Sequence, residues 1–421
     1  MLETTQLLPG IQLYTFRDDR FKQGALSIQF VRPMKKEEAA ENALLPAVLL
    51  RGTANYPDLR TITLRLDDLY GASVSALVRR IGDYQTTGFY CNFMEDKFAL
   101  DGDEILRPML EFIFQLLLEP VTENGGFSRD FVESEKKNLI STIEAEKNDK
   151  RVYASGQLMK IMCKEDSFGL PRLGDVEDVQ KISAQSLYDH YRRVLAESPI
   201  QLFYVGSAPG ETVAEILKQQ FEKLERTPVQ LPPQSAFAGG EGAHEAQTMD
   251  IAQAKLCMGF VTPVTNRKED FPAMQVLNAL FGGGMTSKLF MTVREKMSLC
   301  YYIGSAYYGS KGIVTVSAGI DADKEAITRQ EILAQLDACR NGQITKEEMV
   351  AAREAVLSAL RTVHDSPGAI EGYYATASLS GATMDLKAYA EAVASVTTED
   401  VIRVAKMLTY HSSFLLKGVD Q

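Results

Sequence analysis

Short stretches of alternating apolar and polar residues are interspersed with longer stretches of helical periodicity along the chain. In the first half, alternation at every second residue predicts β-strands around residues 11–16, 24–32, 73–80, 84–94 and 200–206. Apolar positions three and four residues apart predict helices around residues 37–51, 60–71, 104–118 and 129–163. Because the strands at 73–80 and 84–94 are joined only across "IGD", they predict a hairpin. The fold class that follows is α+β, with antiparallel sheets and helices packed on one face of each.

The pattern of the first half returns in the second half. The strand-like "LSIQFVRP" at Leu26–Pro33 is echoed by "LCMGFVTP" at Leu256–Pro263. The capped helix "FSRDFVESEKKNLISTI" corresponds to "ITKEEMVAAREAVLSAL", and "ISAQSLYDHYRRVLAESPIQLFYVG" corresponds to "VTTEDVIRVAKMLTYHSSFLLKG". Three echoes in the same order predict two duplicated domains.

A segment without apolar periodicity separates the two copies. "ERTPVQLPPQSAFAGGEGAHEAQ", from Glu225 to Gln247, is rich in Pro, Gly, Ala and small polar residues, a composition typical of a linker. We therefore predict an N-terminal domain at residues 1–234 and a C-terminal domain at residues 235–421.

One helix is unusually apolar. In "ALLPAVLLRGT", the eight residues from Ala43 to Leu50 include no polar side chain, and the helix is expected to stop at Gly52. Pro46 is expected in the first turns of this helix, where the missing N–H of proline costs least.

Charge and cysteine usage exclude several classes of protein. The 421 residues carry a net charge of −11 with no cluster of basic residues, so nucleic acid is not an expected partner. Five cysteines lie far apart without a CxxC pair, which favours free thiols in a reducing compartment. The N-terminus lacks the features of a signal peptide and no apolar run reaches the ~18 residues of a membrane span. We therefore expect a cytoplasmic protein that does not bind membranes.

Local motifs offer little catalytic chemistry. None of the four histidines has another histidine or a cysteine within seven residues, so no local zinc pair exists, and solvent-exposed or structural roles are expected for all four. "FGGGMTSKL" is not a phosphate-binding loop, because Ser287 precedes Lys288 and Leu289 follows it.

Arg294 and Tyr301 are the strongest candidate site residues. An arginine fork and a phenolic donor could together hold a carbonyl, a carboxylate or an oxyanion. The same residues also suit a helix end and a β-strand for purely structural reasons, so the residues alone leave both interpretations open.

Taken together, "LFGGGMTSKLFMTVREKMSLCYYIGSAYYG" resembles the C-terminal-half signature of the pitrilysin, insulinase and mitochondrial processing peptidase family. "RGTANYP" and "VESEKKNLISTIEAEKNDK" also fall where that family has them, so the resemblance covers nearly the whole chain. It implies a zinc motif, HxxEH, on the helix before "RGT", and a glutamate ligand on the later long helix.

The motif positions in this chain hold other residues. Counting back from Gly52 and Thr53 places them at Ala43, Pro46 and Ala47, and the downstream glutamate position falls at Thr142, with Glu144 close by as a residue that could be mistaken for it. Alanine and proline side chains have no lone pairs to donate, so no zinc site and no catalytic base are expected in this chain.

The resemblance also implies a role for Arg294 and Tyr301, which match the family and would contact substrate in a chamber enclosed by the two halves. The family includes HxxEH-lacking subunits, in bacteria among others, that pair with an HxxEH-bearing homologue. The implied function is a non-catalytic subunit that contributes to peptide binding and hydrolysis in a shared chamber, as a heterodimer with zinc in the partner subunit, or as a homodimer. The alternative is a scaffold or peptide-binding protein with no proteolytic role, like the core subunits of respiratory complexes.

Overall fold

Two mostly antiparallel β-sheets with packed helices organise the chain in the computed structural model, which describes residues 2–382 and 384–419. The strands are β1 Leu2–Leu8, β2 Ile11–Arg17, β3 Gln23–Pro33, β4 Ser73–Ile81, β5 Tyr84–Met94, β6 Thr122–Glu123, β7 Gly126–Phe127, β8 Ile200–Gly206, β9 His244–Thr248, β10 Ala254–Val261, β11 Cys300–Tyr308, β12 Ile313–Ile320 and β13 Thr409–Lys417. The predicted α+β class, with two sheet-and-helix domains, is confirmed.

The helices account for most of the remaining described residues. They are α1 Lys36–Leu49, α2 Leu59–Asp68, α3 Leu106–Leu118, α4 Arg129–Asn148, α5 Lys150–Met162, α6 Val176–Lys181, α7 Ala184–Glu197, α8 Gly210–Phe221, α9 Phe271–Phe281, α10 Glu325–Arg340, α11 Lys346–Thr362, α12 Pro367–Ser380, α13 Leu386–Ser395 and α14 Thr398–Lys406, with a π-helix at Leu289–Lys296. None of the described helices is long and apolar enough to span a lipid bilayer.

The first sheet has the strand order β1-β2-β8-β3-β5-β4, in which only β2 and β8 run parallel. Alternation along β3 places Leu26, Ile28 and Phe30 in the same core as apolar side chains of α1, α3, α7 and α8. The predicted hairpin is confirmed, since β4 and β5 pair from Ile81↔Tyr84 outward. Gly82 in its two-residue turn has φ = 58°, a conformation that glycine adopts without strain.

The second sheet has the order β11-β12-β10-β13-β9, with β13 and β9 parallel.

Within the repeat, Ser183, Thr345 and Thr397 each form a reciprocal capping box at the start of a helix, as their positions predict. Local side-chain chemistry therefore fixes where these helices begin.

The described chain forms two compact units, and each unit contains segments from both halves of the sequence. One unit comprises residues 2–144, 170–233 and 364–379, and the other comprises 145–169, 234–363 and 380–419. The change of unit at residues 233 and 234 lies beside the boundary expected between 1–234 and 235–421, but two helical segments join the sheet of the other half.

Apolar contacts explain both displaced segments. Ala154 and Leu158 of α5 cluster with residues of β10 and β13, and Ile370 of α12 clusters with Phe16 and Val205 of the first sheet. Each sheet therefore carries a helix on its second face as well, which the expectation of helices on one face did not include. The single helix predicted at 129–163 is divided at Asp149, whose carboxylate caps α5.

Limited proteolysis should cut first in the segment that follows Glu225. Parts of this segment are tied down, because the amide of Thr227 donates to the carbonyl of Ala196 and that of Phe237 donates to the carbonyl of Lys311. Residues 238–242 lie outside the helices and strands and include two glycines with positive φ, whereas the backbone of Ala243 is hydrogen-bonded to Ser412 and Ser413. We expect the earliest cut there, with two fragments of roughly equal size identified by mass spectrometry. Earlier cleavage inside a helix or sheet would contradict this assignment.

Candidate functional site

The positions on α1 at which the resemblance implies zinc ligands lie within a packed core. Ala43 and Pro46 are buried and Ala47 is partly buried. Pro46 is the eleventh residue of α1, so the expectation that it lies in the first turns is wrong. Its missing N–H leaves the carbonyl of Asn42 without the usual helical donor, and the Thr87 hydroxyl donates to that carbonyl instead, at 2.7 Å. A tertiary hydrogen bond thus makes proline tolerable inside the helix.

The space beside Pro46 offers nothing to a cation. It is a cavity of about 10 Å³, barely large enough for one water molecule, and it is lined mainly by apolar side chains such as Phe30, Leu45 and Leu117. Thr142, on α4, is exposed, and its hydroxyl donates to the carbonyl of Asn138 in its own helix at 2.9 Å. Among residues 2–382 and 384–419, no group of three or more His, Cys, Asp or Glu side chains is arranged to hold a metal.

A buried histidine that the sequence did not single out as a site residue lies next to this region. Nε2 of His190 is 2.8 Å from Oδ1 of Asn42, whose amide nitrogen donates to Gln85. These contacts assign the ring proton to Nε2, and Nδ1 then accepts from the guanidinium of Arg193 at 3.2 Å. Burial, and then the charge of Arg193, lower the pKa of His190 to about 3, although a carboxylate oxygen of Glu41 lies 3.4 Å from Nδ1. Burial prevails because it disfavours the imidazolium more than the nearby carboxylate favours it.

The free energy of unfolding should decrease as the pH is lowered, and part of this decrease should depend on His190. Its pKa is about 3 in the folded chain and near 6.5 when unfolded, so the unfolded state binds more protons between these values. The contribution of His190 is complete above pH 6.5 and decreases as the pH falls toward 3, by up to ~1.4 kcal/mol per pH unit. Urea unfolding at pH 7.5, 6.5 and 5.5 should give a shallower pH slope for His190→Gln than for the unmodified chain. Equal slopes would refute the neutral buried imidazole.

Arg294 lies in the π-helix, on top of an aromatic ring. Its guanidinium carbon is 4.6 Å from the centroid of the Phe290 ring, and its Nε is 3.7 Å from a carboxylate oxygen of Glu295. The side chain is 40% exposed, so the exposed ion pair with Glu295 holds it weakly. The contact with Phe290 holds the guanidinium beside the ring, and the partial exposure leaves donors accessible to solvent.

Tyr301 is turned outward by a β-bulge. Cys300 pairs with Ile320 and Tyr302 with Gly319, so Tyr301 is the extra residue in the register of β11 and β12. It is 58% exposed, and its hydroxyl donates to Oδ1 of Asp321 at 3.0 Å. The hydrogen bond to Asp321 raises the pKa of Tyr301. An aromatic side chain this exposed on a strand is unlike one placed for core packing.

Arg294 and Tyr301 have separate partners, and no hydrogen bond joins them within the described residues. Neither of them lines the nearby groove of about 490 Å³, which is lined by Phe290, the Gly282–Gly284 turn and residues 303–306 of β11; Arg294 adjoins it through its contact with the Phe290 ring. The amide of Ser305 donates to the carbonyl of Gly282 at 2.8 Å, and a Cβ at Gly282 would come within 2.7 Å of the Ser305 hydroxyl oxygen. The glycines therefore allow the turn to pack closely against the strand.

Three exposed methionines lie in the chain segment that contains Arg294, and one of them, Met285, also lines the groove. Met285, Met291 and Met297 are among the exposed large apolar residues, and they lie within the same stretch of chain as Tyr301. Methionine side chains are flexible and polarisable, which suits contacts with varied apolar groups. We call Met285, Met291 and Met297 the methionine surface. The sequence did not reveal it, because only exposure distinguishes these residues from core methionines.

Comparison with known proteins places this geometry in a family context. Residues 181–356 match a family described as the peptidase M16 inactive domain. The chain is 30% identical to a probable inactive metalloprotease, YmfF, of Bacillus subtilis, over 98% of this chain and 96% of that protein. The crystal structure of a conserved protein from Enterococcus faecalis superposes with a TM-score of 0.92 at 25% identity, over 100% of this chain and 99% of the other. A peptidase M16 inactive domain from Pseudomonas fluorescens shares the fold, with a TM-score of 0.81 at 16% identity, over 99% and 98% of the two chains.

Proposed function

Because this chain belongs to the peptidase M16 family, as a homologue without zinc ligands at Ala43, Pro46, Ala47 and Thr142, we propose that it is the non-catalytic subunit of a zinc peptidase. In this proposal an HxxEH-bearing homologue supplies the zinc ion and the base glutamate. This chain supplies Arg294 and Tyr301 to peptide binding and hydrolysis in a shared chamber. The pair would act in the cytoplasm.

The exposed, anchored Arg294 is the observation that carries the proposal. A structural arginine would be expected to satisfy its fork with carboxylates or carbonyls, whereas Arg294 lies against the Phe290 ring and, within the described part of the chain, pairs with one exposed carboxylate at 3.7 Å. A stacked guanidinium loses little further freedom when it binds a carbonyl, a carboxylate or an oxyanion. This geometry supports a role in recognition rather than in stabilising a helix end.

The surroundings of Arg294 support an extended peptide as the substrate. The groove is lined by the glycine turn and by residues of the edge strand β11, and sheet edges are where extended peptides add as a further strand. The methionine surface favours apolar side chains of varied shape. The proposed substrate class is therefore an unfolded peptide that carries apolar residues.

Co-expression with an HxxEH-bearing homologue tests the proposal. We expect the two chains to elute together on sizing and to cleave an unfolded peptide with apolar residues, with about one zinc ion per pair. Glutamate-to-glutamine substitution in the partner's HxxEH motif should abolish cleavage, because that residue is the proposed base. The zinc should be lost when the two histidines of the partner's motif are replaced, because their imidazoles are proposed zinc ligands that no other side chain replaces.

Other outcomes would favour other functions. If the chain elutes as a homodimer and never joins the HxxEH homologue, the heterodimer proposal fails. If the pair forms, and adding this chain leaves the partner's rate and peptide affinity unchanged, the chain is a scaffold. One tightly held zinc ion in this chain alone, lost when residues near Thr142 are changed, would overturn the assignment of the metal positions.

A further inference from the structure

A charged clamp holds the hydroxyl of Tyr301. Oδ1 of Asp321 accepts from that hydroxyl at 3.0 Å, while Oδ2 accepts from Nζ of Lys324 at 2.8 Å. Asp321 directly follows β12, and its backbone carbonyl also accepts the amide of Lys324 at 3.0 Å. Both carboxylate oxygens are therefore engaged, and the turn after β12 fixes where the carboxylate lies.

The clamp determines which hydrogen-bonding role remains for Tyr301. An ionised carboxylate can only accept hydrogen bonds, so the single phenolic proton points to Asp321. The bonds from Lys324 and Tyr301 lower the pKa of Asp321, and the bond to Asp321 raises the pKa of Tyr301, so both groups keep these protonation states at neutral pH. Toward any third group, the phenolic oxygen presents only lone pairs.

We propose that Asp321 is a positioning residue that fixes Tyr301 as a hydrogen-bond acceptor for a backbone N–H of the bound peptide. The inference rests on the proposed function, and it reverses the donor role that the residue type suggests. Arg294 then supplies the donors to peptide oxygens, and Tyr301 sets the register of the peptide main chain. The two residues act on opposite hydrogen-bonding groups of the peptide backbone.

The bulge explains why a clamp is needed. Tyr301 lies outside the paired register of β11 and is exposed, so strand neighbours do not fix its ring. Asp321 restricts the ring before the peptide arrives, which reduces the entropy lost on binding. Removing Asp321 should therefore weaken peptide binding even though Asp321 does not contact the peptide.

Steady-state kinetics of the reconstituted pair test the assignment. Tyr301→Phe should raise KM about fivefold with kcat within twofold, since one ordinary hydrogen bond is lost equally from the bound substrate and the transition state. Asp321→Ala should raise KM by about threefold, Asp321→Asn should recover part of that loss, and Tyr301→Phe combined with Asp321→Ala should be no worse than Tyr301→Phe. Tyr70→Phe is the matched control, because Tyr70 also donates to an exposed aspartate, Asp103, at 2.6 Å. It should change neither constant.

A panel of peptides identifies the backbone N–H that donates a hydrogen bond to Tyr301. In each peptide one backbone N–H is replaced by an ester oxygen, and binding is measured with a chelator present to prevent cleavage. One position should weaken binding about fivefold for the unmodified pair and have no effect for Tyr301→Phe. If Tyr301→Phe instead lowers kcat by 10²-fold at constant KM, the phenol is an oxyanion donor and the inference is wrong.

The isolated chain provides a readout that does not depend on the partner. With tyrosine labelled at the ring carbon that bears the hydroxyl, NMR titration should show the phenolic pKa of Tyr301 falling toward its ordinary value in Asp321→Ala. An unchanged pKa would refute the clamp whether or not the pair hydrolyses peptides. A pair that never cleaves peptide would refute the proposed function while leaving this titration decisive for Asp321.

Discussion

Peptide hydrolysis by the reconstituted pair should fall about 10²-fold when Arg294 is replaced by alanine, the usual effect of removing one oxyanion-type donor. The guanidinium is stacked on Phe290 beside the groove and keeps accessible donors. If those donors contact charge that develops during peptide cleavage, the lost interaction is strongest in the transition state. The fall should therefore appear mainly in kcat, with folding and pairing unchanged.

Two further variants make the result specific. Arg294→Lys should recover only part of the rate, because an ammonium keeps the charge without the planar pair of donors. Arg361→Ala is the matched control, since Arg361 is an exposed arginine whose NH2 lies 3.1 Å from Glu354 on the same helix. It should leave the rate unchanged. If Arg294→Ala leaves the rate unchanged as well, Arg294 is only a helix-end cation, and the scaffold alternative becomes the better explanation.

Replacing Glu371 with alanine should lower the free energy of unfolding by about 3 kcal/mol. The carboxylate is fully buried and accepts hydrogen bonds from both terminal guanidinium nitrogens of Arg79, at 2.8 and 2.7 Å. It also accepts from the Ser27 hydroxyl at 2.6 Å and from the Gln29 amide at 3.1 Å. Removing it leaves the Ser27 hydroxyl and the Arg79 guanidinium without this acceptor, although the Gln29 amide also donates to the Ser27 oxygen and Arg79 is partly exposed and can regain some hydration. Urea unfolding at neutral pH measures the loss.

The origin of that loss can be separated from lost packing. Combining Arg79→Met with Glu371→Leu should restore much of the stability, because a buried pair replaced by apolar residues leaves no unpaired charge. Glu354→Ala, which removes an exposed partner of Arg361, should change stability by less than about 0.5 kcal/mol. A Glu371→Ala variant as stable as the unmodified chain would show that Arg79 needs no buried counter-charge.

The sequence predicted elements whose determinants are local. The hairpin of β4 and β5 forms where alternation and a short glycine turn place it. The capping boxes at Thr345 and Thr397 start their helices because the cap and its partner are three residues apart. The family was recognisable for the same reason, since its signature in the second half is one continuous stretch of chain.

Long-range partners were beyond the sequence. Glu371 meets Arg79 across 292 residues, and the hydroxyl of Thr87 replaces the donor that Pro46 lacks. Periodicity shows which face of a helix is apolar, but it does not show which sheet that face will cover, so it did not reveal that α5 packs with β10 and β13 or that α12 packs with the first sheet. Packing against a particular surface decides such contacts, and many surfaces satisfy the same pattern of apolar residues.

The candidate site also combines features that depend on the sequence alone with features that depend on the tertiary structure. The prediction that Ala43, Pro46, Ala47 and Thr142 do not form a zinc site needs the sequence alone, because ligand chemistry belongs to the side chain itself. Only the tertiary structure decided the hydrogen-bonding role open to Tyr301, because a phenol can donate or accept, and the position of Asp321 after β12 selects between them.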